Sequence, residues 1–459
     1  MSSTDIIVIG CGPAGYIAAL KASQLGASVC LIERSEVGGT CLNRGCIPTK
    51  THLHNAEIIA AIAQAAKRGI AIADPSVSVD LPKAVQAKDD VVRKLVTGIK
   101  GLLKARKVEV IQGNAVLVSP TEVMVDGTRK LTATKAVIVA SGSKPARPPI
   151  PGAQLANVLT SDEMLALTEM PKSLVIVGAG VIGLEMAQIF RSYGAAVTLV
   201  EAEPRIAPFM DEELAKGLQA SMTKRGIVFH VAAKVQEIVE ADGCLAVKLA
   251  DGTTLPASHV LIATGRQPDL SAFGTLPVVL NGKFVKVDAT LQTSIPGVYA
   301  PGDANGLSML AHAASKMGEI VAENALGHRR TFDATQVPGC IYGAPEAGWI
   351  GLTEAQARAQ GEIEIGRFPF AANGRALCSG HNEGFVKIIT GKKHQEILGL
   401  HILGPHASDL INEAAVLRAM EITATELAEI IHAHPTHAET LMEAAADALG
   451  KCLHLPPRK

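Results

Sequence analysis

Short apolar runs recur along this chain, and two of them end alike. "DIIVIG" leads into Gly10-x-Gly12-x-x-Gly15 and a helix-like stretch, "YIAAL". "SLVIVG" leads into Gly178-x-Gly180-x-x-Gly183, followed by "LEMAQIF". Each reads as strand, glycine turn and helix, because a strand-length apolar run stops at the glycines and a helical pattern begins after them. "ASVCLIER" and "AAVTLVEAEPR" predict strands ending at Glu33 and Glu201, and "KAVIVASGSKP" and "HVLIATGRQP" predict another pair, each closing on a small-x-Gly turn. "IPTKTHLHNAEIIAAIAQAA" predicts a long helix, and "GCIYGAPEAGWIGLTEAQA" opens the last region with alternating strand character.

The pattern is one unit written twice. Glycines at these positions allow a tight turn, close backbone approach to a pyrophosphate, and close helix–strand packing. The helix start then offers free N–H groups and its positive dipole end to phosphate. In both copies the acidic strand end lies 23 residues after the first glycine, Gly10 to Glu33 and Gly178 to Glu201, where a carboxylate accepts from ribose hydroxyls. A lone G-x-G-x-x-G means little. The repeated offset argues against two surface glutamates placed by chance. From first glycine to small-x-Gly turn is 132 residues in copy one (Gly10 to Gly142) and 87 in copy two (Gly178 to Gly265), so copy one carries 45 more.

Composition narrows the setting. A chain of 459 residues suggests about three domains, and 48% hydrophobic with 3% aromatic means cores built from Val, Ile, Leu and Ala. A net charge of -1 without long charged blocks argues against a nucleic-acid partner. No apolar run approaches the ~20 residues of a bilayer span. "MSSTDIIVIG" has no basic signal region, so the expectation is a cytoplasmic protein without membrane insertion.

Eight cysteines are present, and most read as buried, inert thiols. Cys41 and Cys46 differ: they sit five apart in "GGTCLNRGCIPTK", inside the extra residues of copy one. Residues five apart in a regular helix have Cα atoms about 8.6 Å apart, beyond the ~7 Å a disulfide tolerates. A bonded pair therefore needs a break, and Gly45 offers one. Pro48 suits a first helical turn, which puts Cys46 at or near a helix N-terminus where a thiolate is favoured. A metal knuckle would want Cys-x2-Cys and a second pair. A structural staple is uncommon in a reducing compartment. A redox pair is the favoured reading. Lys50, four residues on, shares the face of Cys46, and Glu185 in the second copy is its candidate partner.

These motifs, with "ATGRQPD", "VYAPGDAN", "GLHILGPHASDLINE" and "HAHPTHAE", resemble the pyridine nucleotide–disulfide oxidoreductases, and within them the dihydrolipoamide dehydrogenase branch, over essentially the whole chain. The resemblance implies an α/β fold: two Rossmann-like dinucleotide-binding domains, for FAD and NAD, plus an α+β C-terminal dimerisation domain. The expected limits are 1–145 and 265–335 for FAD, 146–264 for NAD and 336–459 for the dimer interface. It implies FAD contacts at Gly10, Gly12, Gly15, Glu33, Lys50, Ala115, Asp303, Met309, Ala311 and His312. It implies NAD contacts at Gly178, Gly180, Gly183, Glu185, Glu201, Val235 and Gly265. Cys41 and Cys46 would be the redox disulfide. His434 would be the catalytic base, oriented by Glu439 and supplied by the partner subunit of a homodimer. The implied substrate is the dihydrolipoyl group of an E2 acyltransferase or of a glycine-cleavage H-type protein.

Glu201 would repel a 2′-phosphate and no arginine cluster stands at that strand end, which favours NAD over NADP. His432, His434 and His437 lack helical metal-ligand offsets, so no metal is expected. Ala115 stands where relatives often have glycine, and His52 and His54 on the redox helix are unusual. The alternatives are an NAD(P)H-dependent disulfide or mercuric reductase of the same family, and a non-catalytic flavoprotein.

Overall fold

The computed structural model describes residues 2–74, 76–241 and 243–457. Among them the first glycine motif joins the strand Ser2–Ile9 to the helix Pro13–Gln24. Ser2–Ile9 lies parallel between Val29–Glu33 and Arg129–Val139. Glu109–Gln112 extends one side, and Val298–Tyr299 pairs with Arg129–Val139 from far along the chain. The start of Arg129–Val139 also carries the antiparallel Glu122–Val125 and Ala115–Ser119. Ile6, Ile7 and Val8 are fully buried. Helices cover one face and strands the other, which explains the uninterrupted apolar run. On the helical face Ala311–Ala325 crosses Pro13–Gln24 so closely that a Cβ on Gly318 would lie 2.4 Å from the Ala14 carbonyl oxygen. Small residues are the condition for that crossing.

The second motif builds a separate all-parallel sheet in the order Val228–His230, Ala196–Val200, Ser173–Val177, His259–Ile262, Val158–Leu159. A three-stranded antiparallel meander, 235–257, covers it. The chain passes out to this sheet through Ser143–Pro145 and back through Arg266–Pro268, and these two segments pair with each other, Arg266 opposite Pro145.

The C-terminal region is a five-stranded antiparallel sheet, with Gly339–Ile341 and Glu346–Gly351 at one side, backed by the helices Ala407–Ala419 and Glu439–Ala448. A buried lysine fastens it to the second sheet's unit. Lys387 Nζ lies 2.8 Å from Asp211 and 2.8 Å from Glu354. No helix among the described residues is long and apolar enough to cross a membrane.

Most predicted elements form. The "AAVTLVEAEPR" strand ends at Val200, one residue before Glu201. The expectation of buried thiols holds for Cys11 and Cys30; Cys340 and Cys452 are half-buried, and Cys244 and Cys378 are exposed.

Candidate functional site

The two glycine motifs share one local geometry. A Cβ on Gly15 would sit 1.9 Å from the Gly10 carbonyl oxygen, and one on Gly183 would sit 2.0 Å from that of Gly178. These third glycines let helix and strand touch, and they lie beneath the site. A Cβ on Gly12 or Gly180 would meet nothing within 4 Å, because both face open space. The helices that follow have no side-chain cap, so their first-turn N–H groups, apart from Pro13 which has none, are left for an anion. The two acidic strand ends are also equivalent. Glu33 accepts from the Cys11 N–H and from the Ser35 N–H, both at 2.7 Å. Glu201 accepts from the Ala179 N–H at 2.7 Å and the Glu203 N–H at 2.9 Å. Each carboxylate thus holds the turn of its own motif as well as facing the cleft.

The cleft is one continuous space of about 2560 Å³. A single drug-sized ligand fills roughly 300–1,000 Å³, so the space suits two dinucleotides end to end. Gly10, Gly12, Glu33, Ala115, Asp303, Met309, Ala311 and His312 line its first arm. Gly178, Gly180, Glu185, Glu201, Val235 and Gly265 line its second. The glycine cradles, free N–H groups and paired carboxylates fit the nucleotides the motifs imply. Ala115 opens a strand directly after the Gly113–Asn114 turn, where its methyl group is accommodated. Ser143 Oγ donates to Asp303, and Arg266 Nε donates to Ser143 Oγ at 2.7 Å. Arg266 and Ser143 did not stand out in the sequence. They join both interdomain crossing strands to Asp303.

Where the arms meet lie Cys41, Cys46, Lys50 and Glu185. Cys41 belongs to a short helix, Gly39–Arg44, and Cys46 begins the long helix Cys46–Ala65. Gly45 between them, at φ -142° and ψ -113°, breaks the path and brings the two sulfurs together. Neither cysteine is bonded to another, and the two thiols act directly on one another. That interaction splits their acidities. Donation from Cys41 chiefly, then Lys50, holds Cys46 down at about 7 from an ordinary 9.0, against the opposing effect of burial. The same interaction and burial push Cys41 well above its ordinary range. The arrangement favours a thiolate on Cys46, at a helix N-terminus, with the Cys41 thiol keeping its own proton and donating toward it.

Lys50 Nζ is 2.9 Å from both carboxylate oxygens of Glu185. The Tyr342 ring covers the same ammonium at 4.2 Å. Tyr342 did not stand out in the sequence, since an aromatic residue in a strand-like run reads as core. His52 is buried, and its Nδ1 lies 3.0 Å from Tyr193 Oη at the end of the Val181–Ser192 helix. Burial, then Lys88, pushes its imidazole down to about 4. His54 faces outward to Glu57.

His434 and Glu439 form their own unit away from this cleft. His434 Nδ1 is 2.8 Å from Glu439 Oε1, and Glu439 Oε2 accepts from the Thr436 N–H at 2.7 Å. The His434 side chain is 77% exposed. Its free Nε2 points away from a carboxylate already committed. His432 is occupied by Glu413, at 2.9 Å.

Two family models match the chain: "Pyridine nucleotide-disulphide oxidoreductase" over residues 4–318, and its dimerisation domain over residues 337–445. The dihydrolipoyl dehydrogenase of Chlamydia muridarum is 38% identical, covering 99% of each chain. LpdA of Mycobacterium tuberculosis superposes with a TM-score of 0.89 at 28% identity, covering 96% of this chain and 99% of that one. The HOCl-induced flavoprotein disulfide reductase RclA of Escherichia coli, solved as a Cu(II) complex, superposes with a TM-score of 0.88 at 28% identity, covering 97% and 99%. A thiol pair set between two nucleotide turns, with these matches along its whole length, makes the chain a member of the pyridine nucleotide–disulfide oxidoreductase family.

Proposed function

We propose that the protein oxidises protein-bound dihydrolipoyl groups to lipoyl with NAD+ as acceptor, as an FAD-containing homodimer. The observation that carries this reading is the Cys41–Cys46 contact at the junction of two nucleotide-binding arms. The first arm, from 1–145 and 265–335, is assigned to FAD, the second, 146–264, to NAD, and 336–459 to the dimer interface. Lipoylated E2 acyltransferases and glycine-cleavage H-type proteins are the partners this chemistry serves.

A substrate thiolate attacks Sγ of Cys41 in the oxidised pair. The Cys41–Cys46 bond breaks, a mixed disulfide forms, and Cys46 leaves as thiolate, stabilised by its helix N-terminus and Lys50. The second substrate thiol then attacks the substrate sulfur of the mixed disulfide. Cys41 is released, the product closes as lipoyl, and two electrons reside on the pair. His434 of the partner subunit takes the substrate proton at Nε2, while Glu439 holds Nδ1–H and stabilises the imidazolium. Bound across the first arm, FAD supplies the two-electron relay to NAD+. Glu201 and the commitment of Arg205 to the Met210 and Pro208 carbonyls support NAD over NADP.

The test is direct. Purified protein given dihydrolipoamide and NAD+ forms NADH; absence of NADH refutes the reading. Faster NADPH-dependent reduction of a low-molecular-weight disulfide or of Hg(II) would favour the reductase alternative.

A further inference from the structure

Three distant parts of the chain converge on the Lys50 ammonium. The redox helix carries it one turn beyond Cys46. Glu185, 3% exposed, meets it with both oxygens from the second motif's helix. Tyr342, just after the C-terminal strand Gly339–Ile341, lays its ring over it at 4.2 Å. The Tyr342 N–H also donates to Glu185 Oε1 at 3.0 Å. One residue therefore grips both members of the ion pair, by its ring on the cation and by its backbone on the carboxylate.

An ammonium on a flexible four-carbon stem is a mobile charge. Glu185 fixes its distance from one side only. An aromatic face opposite attracts it through the ring quadrupole and excludes the water that would otherwise compete. Two donors point to Glu185 and the ring closes another flank, so the remaining direction opens into the cleft beside Cys46. The phenol stays neutral. Burial first, then the neighbouring Cys340, pushes it up to about 12, and Glu185, Glu346 and Cys46 act in the same sense.

We propose that Tyr342 is a positioning residue for the redox centre: its ring pins the Lys50 ammonium, and so fixes the positive charge met by the Cys46 sulfur and by a flavin in the first arm. The C-terminal region thereby contributes to electron transfer from its own subunit, apart from any role in pairing subunits. This inference rests on the proposed function for the flavin's position, and not for the thiol chemistry.

The experiment compares Tyr342→Leu with Tyr342→Phe in the purified holoenzyme. Three readouts are taken: the pH midpoint of Cys46 alkylation by iodoacetamide after reduction, the flavin midpoint potential, and steady-state turnover. In Tyr342→Leu the alkylation midpoint moves to higher pH, because the loosened cation favours the thiolate less. The flavin potential becomes more negative, because a reduced, anionic ring loses a fixed counter-charge. Turnover falls by about 2-fold to 30-fold, the range a cation–π contact commands, while the KM for NAD+ stays within about twofold of wild type. Tyr342→Phe keeps the ring and recovers all three. Wild-type behaviour of Tyr342→Leu, or equal damage in Tyr342→Phe, overturns the inference. If Tyr342→Leu does not retain flavin, Tyr342→Met fills similar volume and is read in the same way. The alkylation and potential measurements need no lipoyl substrate. A wild-type enzyme inert toward dihydrolipoamide would sink the proposed function and leave this inference to be decided by those two.

Discussion

Cys41→Ala is expected to raise the acidity midpoint of Cys46, with a size that follows from the geometry. Cys46 is held at about 7, two units below 9.0, a preference for thiolate of about 3 kcal/mol. The largest favourable contribution is the hydrogen bond from Cys41, ahead of Lys50. A hydrogen bond to a charged acceptor contributes ~1.5–3 kcal/mol, which is roughly 1–2 pH units. Deleting the donor should bring the midpoint to about 8–9, and the thiolate fraction at neutral pH should drop from about half to between ~1% and ~10%. The alkylation rate at pH 7 falls less, by about 2-fold to 6-fold, because a more basic thiolate is a better nucleophile. The midpoint is therefore the readout. The reduced enzyme is alkylated across pH, and each cysteine peptide is quantified by mass spectrometry. Exposed Cys244 and Cys378 serve as internal references. An unchanged midpoint in Cys41→Ala, or a wild-type Cys46 midpoint coincident with the two references, refutes donation from the Cys41 thiol to Cys46.

Other consequences are equally open to measurement. Cys41→Ser and His434→Gln are each expected to be inactive as homodimers, by at least ~10²-fold. Co-expressed mixed dimers then regain one intact site in two, and a mixed dimer without activity would place the base in its own subunit. Gly183→Ala should weaken NAD+ binding by at least about tenfold, because its Cβ falls 2.0 Å from the Gly178 oxygen, while flavin content stays unchanged by absorbance. The His52 imidazole, at about 4 in the fold, is protonated near 6.5 when unfolded. The unfolded chain thus binds the extra proton first, and stability falls as pH drops from about 6.5 toward 4, by up to about 3 kcal/mol. Urea denaturation of His52→Leu should show that part of the acid slope removed.

What the sequence revealed, and what it hid, divides by range. The two turns, their glutamates and the broken helix at Gly45 are local features. Each is set by residues within a few positions, or by a repeat that one copy checks against the other. Lys50 and Glu185 are 135 residues apart, and nothing local says their helices meet. The residue types allowed the pair and the packing of two helices decided it. Tyr342 was invisible because it follows a strand-like run, while its N–H and its ring both serve partners more than 150 residues away in the chain. Arg266 hid in a motif read for its glycine. Cys244 and Cys378 broke the general expectation for thiols because the turn end of a hairpin strand and a six-residue helix leave their residues open to water.

The antiparallel pairing of Ser143–Pro145 with Arg266–Pro268 has an evolutionary side. Both ends of the second-motif unit hang from one double thread, with Pro145 and Arg266 as direct neighbours. Excising everything beyond that thread would leave a gap that a two-residue hairpin can bridge, and the host sheet would not need re-stringing. Such a layout lets a whole cassette be gained, exchanged or lost in a single genetic event, with the core it shares with the redox helix and the C-terminal sheet left to be re-covered.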